Sequence, residues 1–410
     1  MINVLPRRFA FDSVLATAVF GLAAFGLVMI SSVSVYDSYQ VYSQQGVDCG
    51  LVAANCNDFY FWRQARNLAI ALPLWLIVSL VPYLFWRKMA LTFFLISILL
   101  LIALFLPGFS TDYGTSRSWL TIPILNSIQP AELAKLGLIF YLARWMEGRR
   151  EMIATFENGF LPFAVILGIV VFLLMLQPDF GTTFVMLLIA GAIYFVAGAN
   201  VKHILGAIIA TILFGVIFFA MTSSCALETG DRGKLCYIHD RLATFLDPTL
   251  DPERTGFQVK QSLIAVGKGG FFGDGLEGAT QRFGYLPEVQ SDAIYAALSE
   301  SFGFLGSLIL AGVFLFIAYR GFKIAEKAPD RFGQLIAVGL SVALAGQAFT
   351  HIGVNLALLP YTGITLPFLS YGGSSLVASF LMAGILLNIS KYTCFQKASF
   401  YREKRRRVNY

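Results

Sequence analysis

The stretch Tyr285-Leu-Pro-Glu-Val-Gln-Ser-Asp292 stands directly before the long apolar run Ile294–Tyr319. It carries two carboxylates, Glu288 and Asp292, four residues apart in the chain. Acidic side chains at the edge of an apolar helix are costly unless they pair with cations or take part in chemistry. The stretch therefore indicates a membrane-embedded fold and also the place in that fold where chemistry is expected.

The composition of the whole chain agrees with a membrane protein and excludes an ordinary soluble globular domain. Of its 410 residues, 57% are hydrophobic and 13% are charged, and the mean hydropathy is +0.71. Because about 20 apolar residues cross a bilayer as a helix, the apolar blocks predict an all-α polytopic membrane protein, with residues 1–410 forming a single transmembrane domain. About ten spans are predicted, at Ser13–Val33, Asn67–Val81, Met89–Leu106, Ala131–Met146, Phe160–Leu176, Thr182–Ala197, Ile204–Met221, Ile294–Tyr319, Leu335–Leu358 and Ser374–Ile389.

The basic residues predict the orientation of these spans. The net charge is +6, and most Lys and Arg residues fall on the side that holds the N-terminus, as expected for cytoplasmic segments. Both termini are therefore expected in the cytoplasm, with one large outer loop, residues 222–291, between the seventh and eighth spans. The basic tail, residues 390–410, is interpreted as an anchor for anionic membrane lipid rather than a nucleic-acid arm, and no nucleic-acid partner is expected.

Cysteine placement is consistent with this orientation. Cys49 and Cys56 fall in the first outer loop and Cys225 and Cys236 in the large one, whereas Cys394 lies in the tail. Close pairs outside a reducing compartment favour disulfides, so Cys49–Cys56 and Cys225–Cys236 are predicted. Pairing between the two loops is the alternative.

Several polar residues lie where a bilayer makes them expensive. Glu132 and Lys135 share one helix face at i, i+3 spacing, so they either form a structural ion pair or contact a substrate. Asp179 lies between the fifth and sixth spans, where it either caps the next helix or belongs to a site. The Pro- and Gly-rich segment Leu359–Ser375 must line a cavity or be buried in protein, and its hydroxyls, among them Ser370 and Ser374, suit a polar headgroup.

Three further features allow two interpretations each. Arg117, near the outer interface, could hold a phosphate or extend its head to water. The run Gly267–Gly275 lacks the spacing of a phosphate loop and is interpreted as a flexible segment that lets backbone approach the membrane or a substrate. His351, on the ninth span, is interpreted as an interhelical hydrogen-bond donor rather than a proton carrier.

Taken together, these motifs resemble the SEDS family (shape, elongation, division and sporulation), whose members include FtsW and RodA, and are closer to its FtsW/SpoVE branch. The resemblance covers nearly the whole chain, leaving out the cysteine-bearing residues near 38–58 and the basic tail. The stretches that carry it are Ile128-Gln-Pro-Ala-Glu-Leu-Ala-Lys135, Gln177-Pro-Asp-Phe-Gly-Thr182, Gln261-Ser-Leu-Ile-Ala265, Tyr285-Leu-Pro-Glu288 with Asp292, and Leu366-Pro-Phe-Leu-Ser-Tyr-Gly-Gly-Ser-Ser375.

The resemblance implies a peptidoglycan glycosyltransferase for cell division or cell-shape maintenance. Such an enzyme polymerises lipid II, a lipid-linked disaccharide-pentapeptide, at the outer face of the cytoplasmic (inner) membrane. The implied partners are a class B penicillin-binding protein, which is a transpeptidase, and other divisome or elongasome membrane proteins. The family's key aspartate matches Asp292.

The chemistry of glycan polymerisation suits these residues. A positioned carboxylate such as Asp292 can act as the general base that takes a proton from the acceptor hydroxyl. The leaving pyrophosphate needs cations, for which Arg117, Lys135 and Arg282 are candidates. No cofactor is required by the pattern, but Mg or Mn held by Asp292 and Glu288 is an alternative. Glu288 could also hold the acceptor or cap the eighth span.

The pattern also departs from the family in three places. Gly114-Thr-Ser-Arg-Ser-Trp119 replaces the usual Gly-Ala-x-Arg-Trp, Thr362 stands where the FtsW branch commonly has Lys, and His351 stands where Asn is usual. Two other functions remain open: a lipid II flippase, because buried charges and broken helices suit transport, and a scaffold for a transpeptidase. A flippase needs polar residues through the membrane depth, whereas the motifs here crowd the outer half.

Overall fold

The protein is mostly helical in the computed structural model, which describes residues 11–46, 56–106, 110–113, 116–122, 126–149, 151–222, 234–247, 251 and 255–408. The helices are α1 (Ser13–Val33), α2 (Val35–Gln44), α3 (Phe59–Leu80), α4 (Tyr83–Ala103), α5 (Pro130–Glu147), α6 (Leu161–Leu176), α7 (Phe180–Val196), α8 (Val201–Met221), α9 (Lys234–Leu246), α10 (Thr255–Lys268), α11 (Gly275–Gly278), α12 (Ile294–Glu326), α13 (Arg331–Asn355) and α14 (Gly373–Val408). A π-helical turn, Phe156–Phe160, leads into α6.

Each of the ten predicted spans overlaps one of these helices, although the third and the ninth run three residues beyond the ends of α4 and α13. Within the described ranges, seven helical stretches are long and apolar enough to cross a membrane: Ser13–Val33, Tyr83–Ala103, Phe156–Leu176, Val201–Met221, Ile294–Glu326, Arg331–Asn355 and Gly373–Thr393. The other three predicted spans lie on α3 and α5, which carry charged residues, and on α7, which has 17 residues. The chain is therefore a multi-pass helical membrane protein, and the count of ten stays a prediction.

The all-α description is wrong at one place. Between α4 and α5 the chain forms a small antiparallel sheet of three strands in the order β1-β2-β3, namely β1 (Ser110–Tyr113), β2 (Ser116–Ile122) and β3 (Asn126–Ile128). Leu120 of β2 pairs with Ser110 on one side and with Ile128 on the other. The β-branched and aromatic residues in this short segment suit strands, but they were too few to form a recognisable pattern.

Burial identifies the centre of the bundle. The apolar windows of α13 and of Gly373–Thr393 are 83% and 78% buried, whereas none of the corresponding window of α8 is buried. Helix α13 packs against α12, α7 and α5, and α14 packs against α3. The polar residues carried by α13 and by the start of α14 therefore lie in the interior, where each needs a partner.

A break in α12 receives the glycine run that precedes it. Gly303 has φ 65° and ψ −164°, which interrupts the helical hydrogen bonds. The loop replaces them: the N–H of Asp274 donates to the carbonyl of Glu300 at 3.0 Å, and the N–H of Phe304 donates to the carbonyl of Gly270 at 2.9 Å. A Cβ on Gly273 would lie 2.3 Å from the carbonyl oxygen of Ser301, so only glycine fits. The backbone approach expected of this run is therefore directed at α12.

Candidate active site

The stretch that contains the two acids forms a tight turn at the entrance to α12. Glu288 has φ 50°, in the left-handed region that L-residues rarely adopt. Its carbonyl accepts hydrogen bonds from the N–H groups of Ser291, Asp292 and Ala293, at 3.1, 3.0 and 3.2 Å. The turn therefore fixes Asp292 two residues before the first helical residue, Ile294.

Asp292 lies half-buried among residues from three other parts of the chain. A Cβ added to Gly363 would stand 3.1 Å from its Oδ2, so the carboxylate lies directly against that backbone. The pKa of Asp292 is raised to about 7, first by burial and then by the charge of Glu288, with a smaller opposing effect of Arg241 on α9. The carboxyl group thus titrates near neutral pH. The same charges act on the buried Tyr361. Its pKa is raised well above its usual value by burial and by the charges of Asp292 and Glu288.

Glu288 differs from Asp292 in being exposed. Its Oε2 accepts a hydrogen bond from Ser291 Oγ at 3.2 Å. It also faces a third acid, Asp37 of α2, whose pKa is raised to about 6 by burial and then by the charge of Glu288. Asp37 was not a sequence candidate, although a carboxylate only four residues after the predicted first span is a signal that could have found it.

The predicted non-helical segment between α13 and α14 holds this acidic turn in place. Ser370 Oγ donates to the carbonyl of Ser291 at 2.6 Å and accepts from the N–H of Leu366 at 2.8 Å. The N–H of Tyr371 donates to the carbonyl of Gln290 at 2.8 Å. Ser370 therefore connects two backbone segments. Ser374 has a comparable contact elsewhere, because its Oγ accepts from the N–H of Gln129 at 3.1 Å, at the start of α5.

Glu132 and Lys135 form an ion pair, which was one of the two alternatives that their spacing allowed. Lys135 Nζ lies 2.8 Å from Glu132 Oε2 and 2.5 Å from Gln347 Oε1, and the two charged residues are 2% and 5% exposed. Gln347 Nε2 continues to Thr365, at 3.0 Å from its carbonyl and 3.3 Å from its Oγ1. This network connects α5, α13 and the segment before α14, which supports the structural alternative for both charges.

The remaining sequence candidates have separate surroundings. Asp179 Oδ1 accepts a hydrogen bond from the N–H of Thr182 at 2.9 Å, so Asp179 caps α7. Helix capping was one of the two interpretations of Asp179 from the sequence. Arg282 donates from Nη1 to the hydroxyl and carbonyl of Ser32 at the end of α1 and stacks on Phe283 at 4.9 Å. Arg117 lies in β2, and its side chain is outside the described residues.

Glu300 of α12 is an anchoring residue that the sequence did not indicate. It is 0% exposed, and its carboxylate accepts from Lys268 Nζ at 2.9 Å and from the N–H groups of Thr280 and Gln281 at 2.8 and 3.1 Å. An acid inside an apolar span is itself a signal. Its partners, however, become visible only when the outer loop has folded back onto α12.

Other predictions are tested only in part. Among the described residues, no group of three or more His, Cys, Asp or Glu side chains is arranged to hold a metal ion, and the Mg or Mn site at Asp292 and Glu288 stays a prediction.

Cys56 and Cys236 are each disulfide-bonded. Cys49 and Cys225 lie outside the described residues, so the predicted pairing awaits peptide mapping under non-reducing conditions, which four free outward thiols would contradict.

The fold and the site together define a multi-pass helical membrane protein with a carboxylate-bearing turn directly before the start of one of its membrane-spanning helices. The model of the FtsW, RodA and SpoVE family, described as "Cell cycle protein", matches residues 13–394, and the chain belongs to that family. This confirms the family predicted from the motifs.

Named relatives agree with this assignment. A probable peptidoglycan glycosyltransferase FtsW of Geobacter sp. (strain M18) is 37% identical over 367 residues, covering 89% of this chain and 95% of the relative. Stage V sporulation protein E of Bacillus subtilis (strain 168) is 37% identical over 368 residues, covering 90% and 94%. The enzyme class and the FtsW/SpoVE branch expected from the motifs are those of these relatives.

Solved structures support the fold. A chain from a peptidoglycan synthase complex that coordinates polymerization and crosslinking matches with a TM-score of 0.72 and 25% identity, covering 94% of this chain and 99% of that one. The Thermus thermophilus rod shape determining protein RodA matches with a TM-score of 0.64 and 24% identity, covering 94% and 98%.

Proposed function

We propose that this protein is a peptidoglycan glycosyltransferase that polymerises lipid II at the outer face of the cytoplasmic membrane. The observation that carries the proposal is Asp292, a half-buried carboxylate with its pKa raised to about 7, held in a backbone-bonded turn at the mouth of α12. A general base acts best when its pKa lies near the working pH. The family and its named relatives supply the reaction class.

The proposed step transfers a glycosyl group. The acceptor hydroxyl oxygen attacks the anomeric carbon of the lipid-linked donor, and its proton passes to Asp292. The bond from the anomeric carbon to the pyrophosphate oxygen breaks, and undecaprenyl pyrophosphate leaves with the electron pair. The departing charge needs cations. Arg241, whose charge reaches Asp292, joins Arg117, Lys135 and Arg282 as a candidate. Of these, Lys135 already bonds to Gln347 and Arg282 to Ser32.

The outer-face assignment and the ten-span topology are part of the proposal. Arg320 Nη2 of α12 lies 2.5 Å from Asp12 Oδ2, and the N–H of Asp12 donates to Ser390 Oγ of α14 at 3.0 Å. The start of α1 and the base of the basic tail thus share one end of the bundle with Arg320. The helix from Phe304 to Arg320 rises about 24 Å at 1.5 Å per residue, and Asp292 precedes the Gly303 break at its other end. Cytoplasmic termini therefore favour an outward-facing Asp292.

A crosslinking partner belongs to the same proposal. The structural relative from a peptidoglycan synthase complex is described as coordinating polymerization with crosslinking. We infer that a class B penicillin-binding protein supplies the transpeptidase for this chain, alongside other divisome or elongasome membrane proteins. Two measurements test this part separately: whether the full chain co-purifies with such a partner, and whether the partner changes the polymerisation rate.

The flippase alternative rests on the buried charges. In the described part of the chain, Glu132 and Lys135 are paired with each other and with Gln347 and are almost fully enclosed. A closed ion pair of this kind favours a structural role over a translocation path. A proteoliposome assay that measures lipid II translocation and polymerisation separately distinguishes the two functions, and translocation without polymerisation would support the flippase.

The direct test is polymerisation of fluorescent lipid II by the full chain and by Asp292→Asn. Loss of a general base is expected to lower the rate about 10²–10⁴-fold. Glu277→Gln is the matched control, because it removes a carboxylate from an exposed position of the same outer loop. Wild-type rates for Asp292→Asn, with the protein folded, would end the proposal.

A further inference from the structure

Asn355 is the last residue of α13, and its side chain reaches the backbone on both sides of the entrance to α12. Its Nδ2 donates to the carbonyl of Asp292 at 3.0 Å, and its Oδ1 accepts from the N–H of Ala296 at 3.3 Å. Nδ2 also donates to the carbonyl of His351, one turn earlier in α13, at 3.0 Å. The amide is 1% exposed. Its hydrogen bonds therefore join α13 to the residue that bears the proposed base.

These contacts compensate for a missing helix cap. The first N–H groups of a helix lack partners within the helix, and a polar side chain at the N-cap usually accepts from one of them. The N-cap of α12 is Ala293, which makes no side-chain hydrogen bond. Asn355 supplies the acceptor from a different helix, and in doing so it also holds the carbonyl of Asp292.

Asn355 and Gly363 restrict two different parts of Asp292. Asn355 holds the main chain of Asp292, and the backbone of Gly363 lies against its Oδ2. Asn355 and Gly363 are connected through His351, whose Nδ1 lies 2.6 Å from the carbonyl of Ile364. The main chain and the carboxylate of Asp292 are therefore held by contacts that both depend on the end of α13.

We infer that Asn355 is a positioning residue for the glycosyl-transfer site, which sets the place and the water exposure of the Asp292 carboxylate without contacting substrate. The inference rests on the proposed function, because it assigns Asn355 an effect on Asp292 as a base. A displacement of a catalytic group by about 1 Å can lower a rate by about 10²-fold. Loss of the amide should therefore lower kcat with little change in KM.

The pH dependence separates positioning from a purely structural role. Among the described residues, the groups whose charges act on Asp292 or on the neighbouring Tyr361 are Glu288 and Arg241. Asn355→Leu removes all three side-chain hydrogen bonds at similar volume, including the two to the entrance of α12. The turn should therefore loosen, more water should reach the carboxylate, and the acid limb of kcat/KM should move to lower pH. Asn355→Asp keeps the acceptor for Ala296 but adds a negative charge, which moves the limb to higher pH.

The experiment measures lipid II polymerisation by the full chain, its Asn355→Leu and Asn355→Asp variants and Thr350→Val across pH, with thermal unfolding of each. Thr350 is the matched control, because its buried hydroxyl bonds only to the carbonyl of Gly346 within α13 in the described structure. We expect kcat to fall about tenfold to a hundredfold in Asn355→Leu, opposite shifts of the acid limb in the two Asn355 variants, and an unshifted limb in Thr350→Val.

The outcomes distinguish the two proposals. If Asp292→Asn is inactive while folded Asn355 variants keep the wild-type kcat and pH limb, the positioning role is wrong and the proposed function stands. If both Asn355 variants lose stability but keep an unshifted limb, Asn355 is only structural and the inference is again overturned. If Asp292→Asn polymerises at the wild-type rate, the proposed function fails first.

Discussion

Replacing Glu300 with glutamine tests how the outer loop is held against α12. The fully buried carboxylate accepts hydrogen bonds from Lys268 and from the N–H groups of Thr280 and Gln281. In Glu300→Gln one oxygen becomes an N–H₂ group that faces the N–H of Gln281. The carboxylate charge is lost, so the ion pair with Lys268 becomes a weaker charge–dipole hydrogen bond and the bond from the N–H of Thr280 becomes neutral. Charge-assisted hydrogen bonds contribute about 1.5–3 kcal/mol and neutral ones about 0.5–1.5 kcal/mol.

The magnitude follows from these contacts. Weakening two bonds by about 1 kcal/mol each gives a loss of about 2 kcal/mol. The N–H of Gln281 keeps a second acceptor, Oε1, at 3.2 Å, so opposing it with the N–H₂ group adds at most about 1 kcal/mol, for a total of about 2–3 kcal/mol. At about 1.4 kcal/mol for each factor of ten, the opening equilibrium of the loop should rise about 30- to 100-fold. Glu300→Leu orphans all the donors and should cost about 3–5 kcal/mol, as expected when one partner of a buried charged pair is removed.

Amide hydrogen exchange of the full protein in detergent measures this opening directly. The N–H groups of Thr280 and Gln281 should exchange about 30- to 100-fold faster in Glu300→Gln, while amides in the core of α13 keep their wild-type protection. Glu277→Gln, an exposed acid of the same loop, is the matched control and should change neither region. Unchanged exchange at Thr280 and Gln281 would refute the anchoring role of Glu300.

Three further predictions concern the site itself. Burial and Glu288 raise the pKa of Asp292 to about 7, so activity should fall as pH drops through about 7, and Glu288→Gln should move this acid limb of kcat/KM to lower pH; an unmoved limb would contradict the coupling. Gly363→Ala places a Cβ 3.1 Å from Asp292 Oδ2 at a φ of 64°, so it should cost about 1–2 kcal/mol of stability and lower kcat. Substituting a glycine that has open space around it should change neither the stability nor kcat. Glu132→Gln or Lys135→Met alone should destabilise the protein by about 3–5 kcal/mol, because each leaves the other charge buried without its ion-pair partner. The double variant should lose less than the sum of the two by thermal unfolding, and additive losses would show that the pair is not coupled.

Local patterns in the sequence predicted much of the fold. Each apolar block became a helix, since hydrophobic length alone determines such an element in a bilayer. The broken segment between α13 and α14 was also predictable, because its Pro and Gly residues cannot continue a helix. The small sheet before α5 and the break at Gly303 were missed. Both depend on backbone pairing with another segment, which no local periodicity records.

The site was predictable to the extent that its residues were out of place in an apolar chain. Asp292 and Glu288 were found because carboxylates beside a span are costly, and the Glu132–Lys135 pair because its spacing is helical. Arg241, Asp37 and the partners of Glu300 were missed, since they meet the site only after distant segments fold together.

Asn355 shows why a positioning residue is harder to find than a base. In the sequence it is one amide near the end of an apolar span, and a buried amide usually bonds to a neighbouring helix. Its significance comes from Ala293, which leaves α12 without a capping side chain, and from a loop that places the carbonyl of Asp292 within 3.0 Å. Neither fact alone indicates a function. Together they connect the buried last residue of α13 to the residue that bears the proposed base, so a substitution at Asn355 should change the pH dependence of a reaction that Asn355 does not contact.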